Sequence, residues 1–518
     1  HLLGQPCGAR AHAVSFATKA LKRGAYKLQS LALLPNAHVA FTLLRYCGAF
    51  GLAVFYARAI GPIEPFATFD ALVREITAQI LGFDPTPAEY KHIALPARHG
   101  GFGIRPLAPH AAIAFAVASS SAATLFEVFL HESVKLPADP WLVSSLTCPL
   151  LGVYTTLAES VSAYTSSGKA MFGDKAQREF SRQLEAVDSE ELRLSSKDNV
   201  RISLLSGSTP YSCSWIAPIN AAVGEGPYFL ETAKFCALAR FRLGRELSEG
   251  TAQCTLCRRV DADPLGHHSV ACMGCGTHTR AHNDIRDAIW HLACLAQVSA
   301  QRELAPWAGR GRPDILLNKG GKCIAVDVSI VSPFTSTAAS AAAKTGGAAA
   351  ERAAAGKHDK YRSVMVGSRV QLVPVCFDSF GAWSDSGLKL VKDLAARWGR
   401  RFDIHPCQAI PLTCARLTAL LMEGIGELLL ANSFGSAPDP LQLTSLRRRH
   451  RIAHSSTQRA TQPQDNDDDN SSDSTAANSE SGLALSQHRR APIGPRSTTA
   501  PLISAPTVLG TPAGMSTA

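Results

Sequence analysis

The sequence predicts a multidomain protein: an all-α N-terminal block, a small cysteine-centred module, an α/β domain of order α-β-β-β-α-β, and a disordered C-terminal tail. Three observations predict it. Apolar residues recur at helical spacing through the first third of the chain, four cysteines fall within 22 residues near its middle, and strand-like β-branched runs alternate with helical stretches after them. At roughly 100 to 200 residues per domain, 518 residues allow about three domains and ample core. With 46% hydrophobic and 18% charged residues the composition is globular. No stretch approaches about 18 uninterrupted apolar residues, so membrane spanning is not expected. The most apolar stretch, 40–62, carries Arg45 and Arg58, and 109–126 is mostly Ala and Ser; both read as buried helices. The chain opens at His1 with neither an initiator Met nor a signal sequence, which predicts a fragment of a longer protein.

Residues 1–165 form the helical block, with apolar positions Leu21, Leu28 and Leu31, then Phe69, Leu72, Val73 and Ile76. Its one irregular feature is 95–106, where Pro and three Gly residues predict a loop between helices. Residues 166–226 read as a polar connector, with one exposed charged helix over 174–194 and a strand-like or loop region to Gly224. Residues 227–279 combine a basic helix with the cysteine cluster; Phe229, Phe235, Leu238 and Phe241 interleave with Arg240, Arg242 and Arg245. Residues 280–435 supply the α/β domain: a helix over 280–297, a strand over 298–304, a hairpin of 314–317 with 322–331, an Ala-rich helical region over 335–361 and a strand over 370–377. Helices over 387–398 and 415–431 close it. Beyond Ala453 there is no aromatic residue, and Ser, Thr, Pro, Asn and Asp dominate, so 436–518 reads as a disordered tail. At its edge lies the basic run Arg447–Arg451, read as a solvated helix end, with a phosphate contact or a targeting address as alternatives.

A net charge of +10 and a sequence pI near 9.0 favour a polyanionic partner. Ten of the 14 cysteines are scattered without framework spacing, which points to a reduced intracellular compartment. The others cluster. Cys254-x2-Cys257 brings two thiolates together through a tight turn, and His267 with Cys272 returns a nitrogen and a third sulfur: a closed, structural Zn2+ shell of the Cys3His type. His268 can replace His267, and Cys275 and His278 are spare donors.

The segments around Asp314 and Asp327 bracket Asn318-Lys-Gly-Gly321. With Lys319 and Gly320 as the two central turn residues, Asp314 faces Ala325, and Asp327 lies two residues on, on the same face. At that diagonal, roughly 7–8 Å, both carboxylates can converge on Mg2+ or Mn2+ and support phosphodiester hydrolysis. Asp327 interrupts an otherwise buried strand, where an unpaired charge is costly unless it binds something. Lys357 and Lys360, three apart on a helix, are candidates for the balancing cation, with Lys344 a further one.

Together, the Cys-Cys-His-Cys knuckle, Thr279-Arg-Ala-His-Asn283, Arg312-Pro-Asp314, Asp327 and Lys-x-x-Lys-Tyr361 resemble the C-terminal region of non-LTR retrotransposon reverse transcriptases with a restriction-endonuclease-like domain. The resemblance implies a PD-(D/E)xK nuclease fold in which Asp314 and Asp327 bind catalytic metal. Most such nucleases hold a lysine two residues after the second acid; Ser329 stands there, and the resemblance moves that role to Lys357 or Lys360. The segments 2–8, 43–47 and 95–105 resemble the thumb and linker that follow the polymerase palm. The paired aspartates of the palm are absent from the ordered part, so this chain is not expected to act as an RNA-directed DNA polymerase.

The expectation is therefore a retrotransposon fragment whose metal-dependent nick in target DNA primes reverse transcription by a missing N-terminal polymerase portion. The resemblance also implies a nuclear location and element RNA as a second partner. Phosphate contacts are expected from Arg240, Arg242, Arg245, Arg280 and Arg312. The rival expectation is a zinc-stabilised nucleic-acid-binding module with an inactive nuclease fold, a degenerate copy.

Overall fold

The computed structural model describes residues 10–118, 176–216, 228–274, 276–303 and 312–432. These residues are mostly helical, around one small mixed sheet.

The N-terminal helices are α1 (Arg10–Gln29), α2 (Ala37–Leu43), α3 (Ala49–Ile60), α4 (Glu64–Leu81), α5 (Pro87–Ala94) and α6 (Ala108–Ala118). Local chemistry sets their ends. Asn36 caps α2 by accepting from the Val39 N–H at 2.9 Å. Thr86 and Glu89 form a reciprocal capping box on α5, and α4 stops at Gly82 in the left-handed region, φ 75°. A π-helical turn, Leu44–Gly48, joins α2 to α3. The joined stretch 37–60 is long and apolar enough, by length and composition, to cross a membrane. Here Ala37, Ala40, Phe41, Leu44, Ala49, Ala53, Ala57 and Ile60 pack it into the core.

The 95–106 segment is more than a loop. Phe102, Ile104 and Leu107 are fully buried, and the Gly100 carbonyl accepts from Arg242, with Nη2 at 2.9 Å and Nε at 3.2 Å. The residues expected to form a loose connector are packed as well. Helix α7 (Ala176–Ser195) buries Glu185 against Arg98 and Arg105, and 198–216 forms helix α8 (Asp198–Gly207) and a 3-10 turn burying Trp215 and Ile216. Neither a strand nor a free loop occupies 198–216. Sequence polarity concealed this because Glu185 and Asp188 of α7 are satisfied by partners about 80 or more residues away.

Helix α9 (Thr232–Arg242) leads to the short strands β1 (Ala252–Gln253) and β2 (Asp261–Ala262), helix α10 (His267–Ala271) and helix α11 (Gly276–Leu295). Strands β3 (Ser299–Arg302), β4 (Ile315–Lys319), β5 (Lys322–Val331) and β6 (Val370–Asp378) form one sheet in sequence order. The first two pairings are antiparallel, and β5 pairs with β6 in parallel. Helices α12 (Ala339–Ala342) and α13 (Ala348–Met365) make the crossover that a parallel pair requires. The Ala-rich helical region expected over 335–361 is two helices, broken at Gly346–Gly347; Gly347 sits at φ 78°, and a Cβ on Gly346 would meet the Leu205 carbonyl oxygen at 2.3 Å. Helices α14 (Asp385–Arg401) and α15 (Pro406–Ala431) close the described part, so the expected order α-β-β-β-α-β is present.

Period-two alternation divides β5. Ile324, Val326, Val328 and Ile330 join the main core, while Ala325 and Asp327 face α13, beside Tyr361. Most buried apolar side chains form one cluster from Leu21 to Leu429, so the helical block and the sheet share a core. The segments 1–9, 119–175 and 433–518, with the expected disordered tail and the basic run at 447–451, lie outside the described residues.

Arg242 is 1% exposed, and its loss would strip the Gly100 carbonyl of a charged donor. Arg242→Ala is expected to cost about 2–3 kcal/mol in chemical denaturation. Arg245→Ala, whose partner Glu89 sits near the surface, should cost under about 1 kcal/mol.

Candidate functional site

Two side-chain constellations carry chemistry. The first is the cysteine cluster. The Arg258 N–H donates to the Cys254 carbonyl and the Cys254 N–H to the Val260 carbonyl, closing a tight turn between β1 and β2 that aims Cys254 and Cys257 together. Asp263 caps α10, its two oxygens accepting from the His267 and His268 N–H groups. The ligand atoms of Cys254, Cys257, His268 and Cys272 lie within 4.8 Å of one another, a set that can hold a zinc ion. The Cys254–Cys272 sulfur separation of 3.9 Å matches the roughly 3.8 Å expected between two thiolates 2.3 Å from a tetrahedral zinc.

The histidine is His268, not the expected His267. Successive helical residues diverge by about 100°, so only one of the two can face the sulfurs. His268 and Cys272 stand four apart, on one face, and His268 Nε2 is 3.5 Å from Cys257 Sγ. His267 instead stacks on Phe334 with ring centroids 3.7 Å apart, and burial lowers its pKa. The four-residue spacing was visible in the sequence; that it lies on a helix was the missing signal. A backbone N–H at Arg259 lowers the Cys257 thiol to about 6, whereas burial raises Cys272 to about 11. His278 is buried outside the set, and Cys275 lies outside the described residues.

The second constellation sits on the α13 face of the sheet. The β4–β5 turn is Gly320–Gly321, with φ of 58° and 78°, the positive values a type I′ hairpin demands at both central positions. The last pair is Lys319–Lys322, so the register is offset by two from the expected one. One step beyond the Ile315–Val326 pair, Asp314 lies directly opposite Asp327 rather than diagonal to it. An offset of two preserves the face, which is why the two carboxylates still converge.

Lys357 donates to Asp327 Oδ1 at 2.9 Å. The other Asp327 oxygen is buried, and no hydrogen bond reaches it. Asp314 Oδ2 accepts from the Val328 N–H at 2.6 Å and lies 3.1 Å from His282 Nε2. Burial opposes ionisation of Asp314, but His282 and the Val328 N–H outweigh it and hold the carboxyl below its ordinary range. The same contact with Asp314 raises His282. Burial, then Asp327, keeps the Tyr361 hydroxyl protonated. His282 belongs to the Thr279–Asn283 motif, and its position on α11, against β4, brings it to Asp314.

Lys360 does not join the site. The inward stripe of α13 runs through Ala350, Ala354, Lys357 and Tyr361, and Lys360 lies off it, exposed, with its ammonium 4.8 Å from the Tyr361 ring centroid. Lys344 is likewise exposed.

No protein-family model matches the chain, and no curated protein matches it.

The five expected phosphate contacts separate. Arg242 is buried and bonded to Gly100 and Cys213, so it is withdrawn from any ligand. Arg240 and Arg245 both lie over the Phe83 ring, at 5.3 and 4.7 Å, and Arg245 pairs with Glu89. These three hold α9 against the 82–102 segment. Arg280 and Arg312 are exposed, paired with Glu427 and Glu303.

Two outcomes are expected. His268→Ala should lose bound zinc as measured by metal analysis of the purified protein, while His267→Ala retains it. In metal-free protein, the His282–Asp314 pair stabilises most between the lowered carboxyl and the raised imidazole. Its contribution is lost as pH falls below about 3.8 and Asp314 protonates, and lost as pH rises past 6.5 and His282 deprotonates. Asp314→Asn should move the His282 NMR titration midpoint downward.

Proposed function

We propose that the sheet and its flanking helices form a divalent-metal-dependent DNA nuclease of the PD-(D/E)xK type, within a non-LTR retrotransposon protein whose polymerase palm lies outside this chain. The observation that carries the reading is the buried Asp327 oxygen without a hydrogen bond, opposite Asp314 and beside Lys357. A buried carboxylate oxygen left bare is costly unless something binds it. Two convergent carboxylates suit a hard cation, so Asp314 and Asp327 are the residues that would hold Mg2+ or Mn2+. Such an ion would lower the pKa of a bound water and neutralise charge on a phosphodiester.

The remaining groups have separate tasks. Lys357 orients Asp327 and brings a positive charge to the pocket where a phosphorane would carry negative charge. His282 and the Val328 N–H fix the rotamer of Asp314. The Cys3His cluster, closed and without a spare ligand position, would be structural. A nick in target DNA would expose the 3′ hydroxyl for reverse transcription, with element RNA as template.

The second reading is a zinc-stabilised nucleic-acid-binding module. It is favoured by the ion pairs that already engage both carboxylates. Nicking of supercoiled plasmid by the zinc-loaded full chain, with Mg2+, Mn2+ or no added divalent metal, separates the two. The nuclease reading expects metal-dependent nicking, reduced at least about 100-fold in Asp314→Ala, Asp327→Ala and Lys357→Ala but unchanged in Lys360→Ala. Folded, zinc-loaded protein that binds DNA and never cuts with either metal would sink it and leave the binding module.

A further inference from the structure

The chain's excess positive charge is concentrated at one end. Seven of its 52 Lys and Arg residues, and none of its 42 Asp and Glu, fall in the first 63 positions. The rest of the chain therefore carries 45 cations against 42 anions and is close to balanced. Within the first 63 positions the charge is ordered by α1. Lys19, Lys22, Arg23 and Lys27 are all exposed, at the i, i+3, i+4, i+8 spacing of one helix face, and Tyr26, 73% exposed, stands among them. Among the described residues no carboxylate pairs with any of the four. The opposite face, through Ala17, Leu21, Gly24 and Leu28, is buried in the core.

We propose that this face of α1 binds the phosphate backbone of nucleic acid. From Lys19 to Lys27 the helix rises about 12 Å, over which duplex DNA presents about seven phosphate charges. A bilayer surface fits less well. An interfacial helix inserts its apolar face into lipid, and here that face is already committed to the protein interior, with a Cβ on Gly24 meeting Leu52 at 2.4 Å. The face does what Arg240, Arg242 and Arg245 cannot, because those are engaged with Gly100, Glu89 and Phe83.

Binding of the zinc-loaded full chain to a short duplex DNA is measured without added Mg2+ or Mn2+ across a salt series, so the outcome does not depend on cutting. Replacing Lys19, Lys22, Arg23 and Lys27 with Ala together is expected to lower the slope of log K against log salt by about 3.6, and Lys22→Ala or Lys27→Ala alone by about 0.9. The comparison variant replaces the exposed Arg178, Lys197, Lys389 and Arg400 with Ala, for the same change in net charge. It should shift the slope by less than about 1. Equal slopes for the two quadruple variants overturn the proposal and assign binding to net charge alone. A wild-type slope in both single variants, each with wild-type circular dichroism and zinc content, overturns it as well. So does loss of binding to anionic vesicles with DNA binding intact, which would make the partner a lipid surface.

Discussion

The arrangement of the carboxylate pocket depends on the turn at Gly320–Gly321. A Cβ at either glycine would meet nothing within 4 Å, so space does not demand glycine there; the two positive φ values do. That turn makes Lys319–Lys322 the last pair of the hairpin, and Lys319 is tied in addition to Asp393 on α14. Every position along β4 and β5 follows from this pairing. A slip of one residue would turn Asp327 into the apolar core and Val326 toward α13. The observed register instead sets two acids face to face, where their mutual repulsion and their desolvation must be offset. His282 offsets one, and Lys357 the other.

Several cations elsewhere are used inside the molecule. Arg242 bridges α9 to Gly100, Arg98 and Arg105 converge on the buried Glu185, and Lys234 with Arg280 reaches the α15 carboxylates Glu423 and Glu427. Interleaving of Arg with aromatic residues therefore has two structural meanings. On α9 and just past it the guanidinium groups cover Phe83 and Phe102 and serve packing. On α1 the cations share the outer face of a helix whose inner face is apolar. Burial, not residue type, separates the two cases.

The cysteine cluster is also a junction. Asn432, just past α15, donates to Cys254 Sγ and Ser269 Oγ, while its carbonyl oxygen accepts from the Thr255 N–H. Such outer contacts orient metal ligands. Here they join the end of the last described helix to the first knuckle turn, so the cluster and the helices that pack on α15 share one support.

The sequence by itself determined the succession of helices and strands in the α/β part, the clustering of three sulfurs with a histidine, and the shared face of Asp314 and Asp327. Each of these follows from local periodicity or from spacing along the chain. Only the tertiary structure decided which histidine turns to the sulfurs, whether the acids pair directly or diagonally, and that Lys357 rather than Lys360 reaches Asp327. It also decided that Arg242 is a core residue and that 198–216 is packed helix and turn. The last three of these outcomes turn on partners far away in the chain. Arg242 meets Gly100 across 142 positions and Lys357 meets Asp327 across 30, and no local pattern carries the burial that makes such contacts hold.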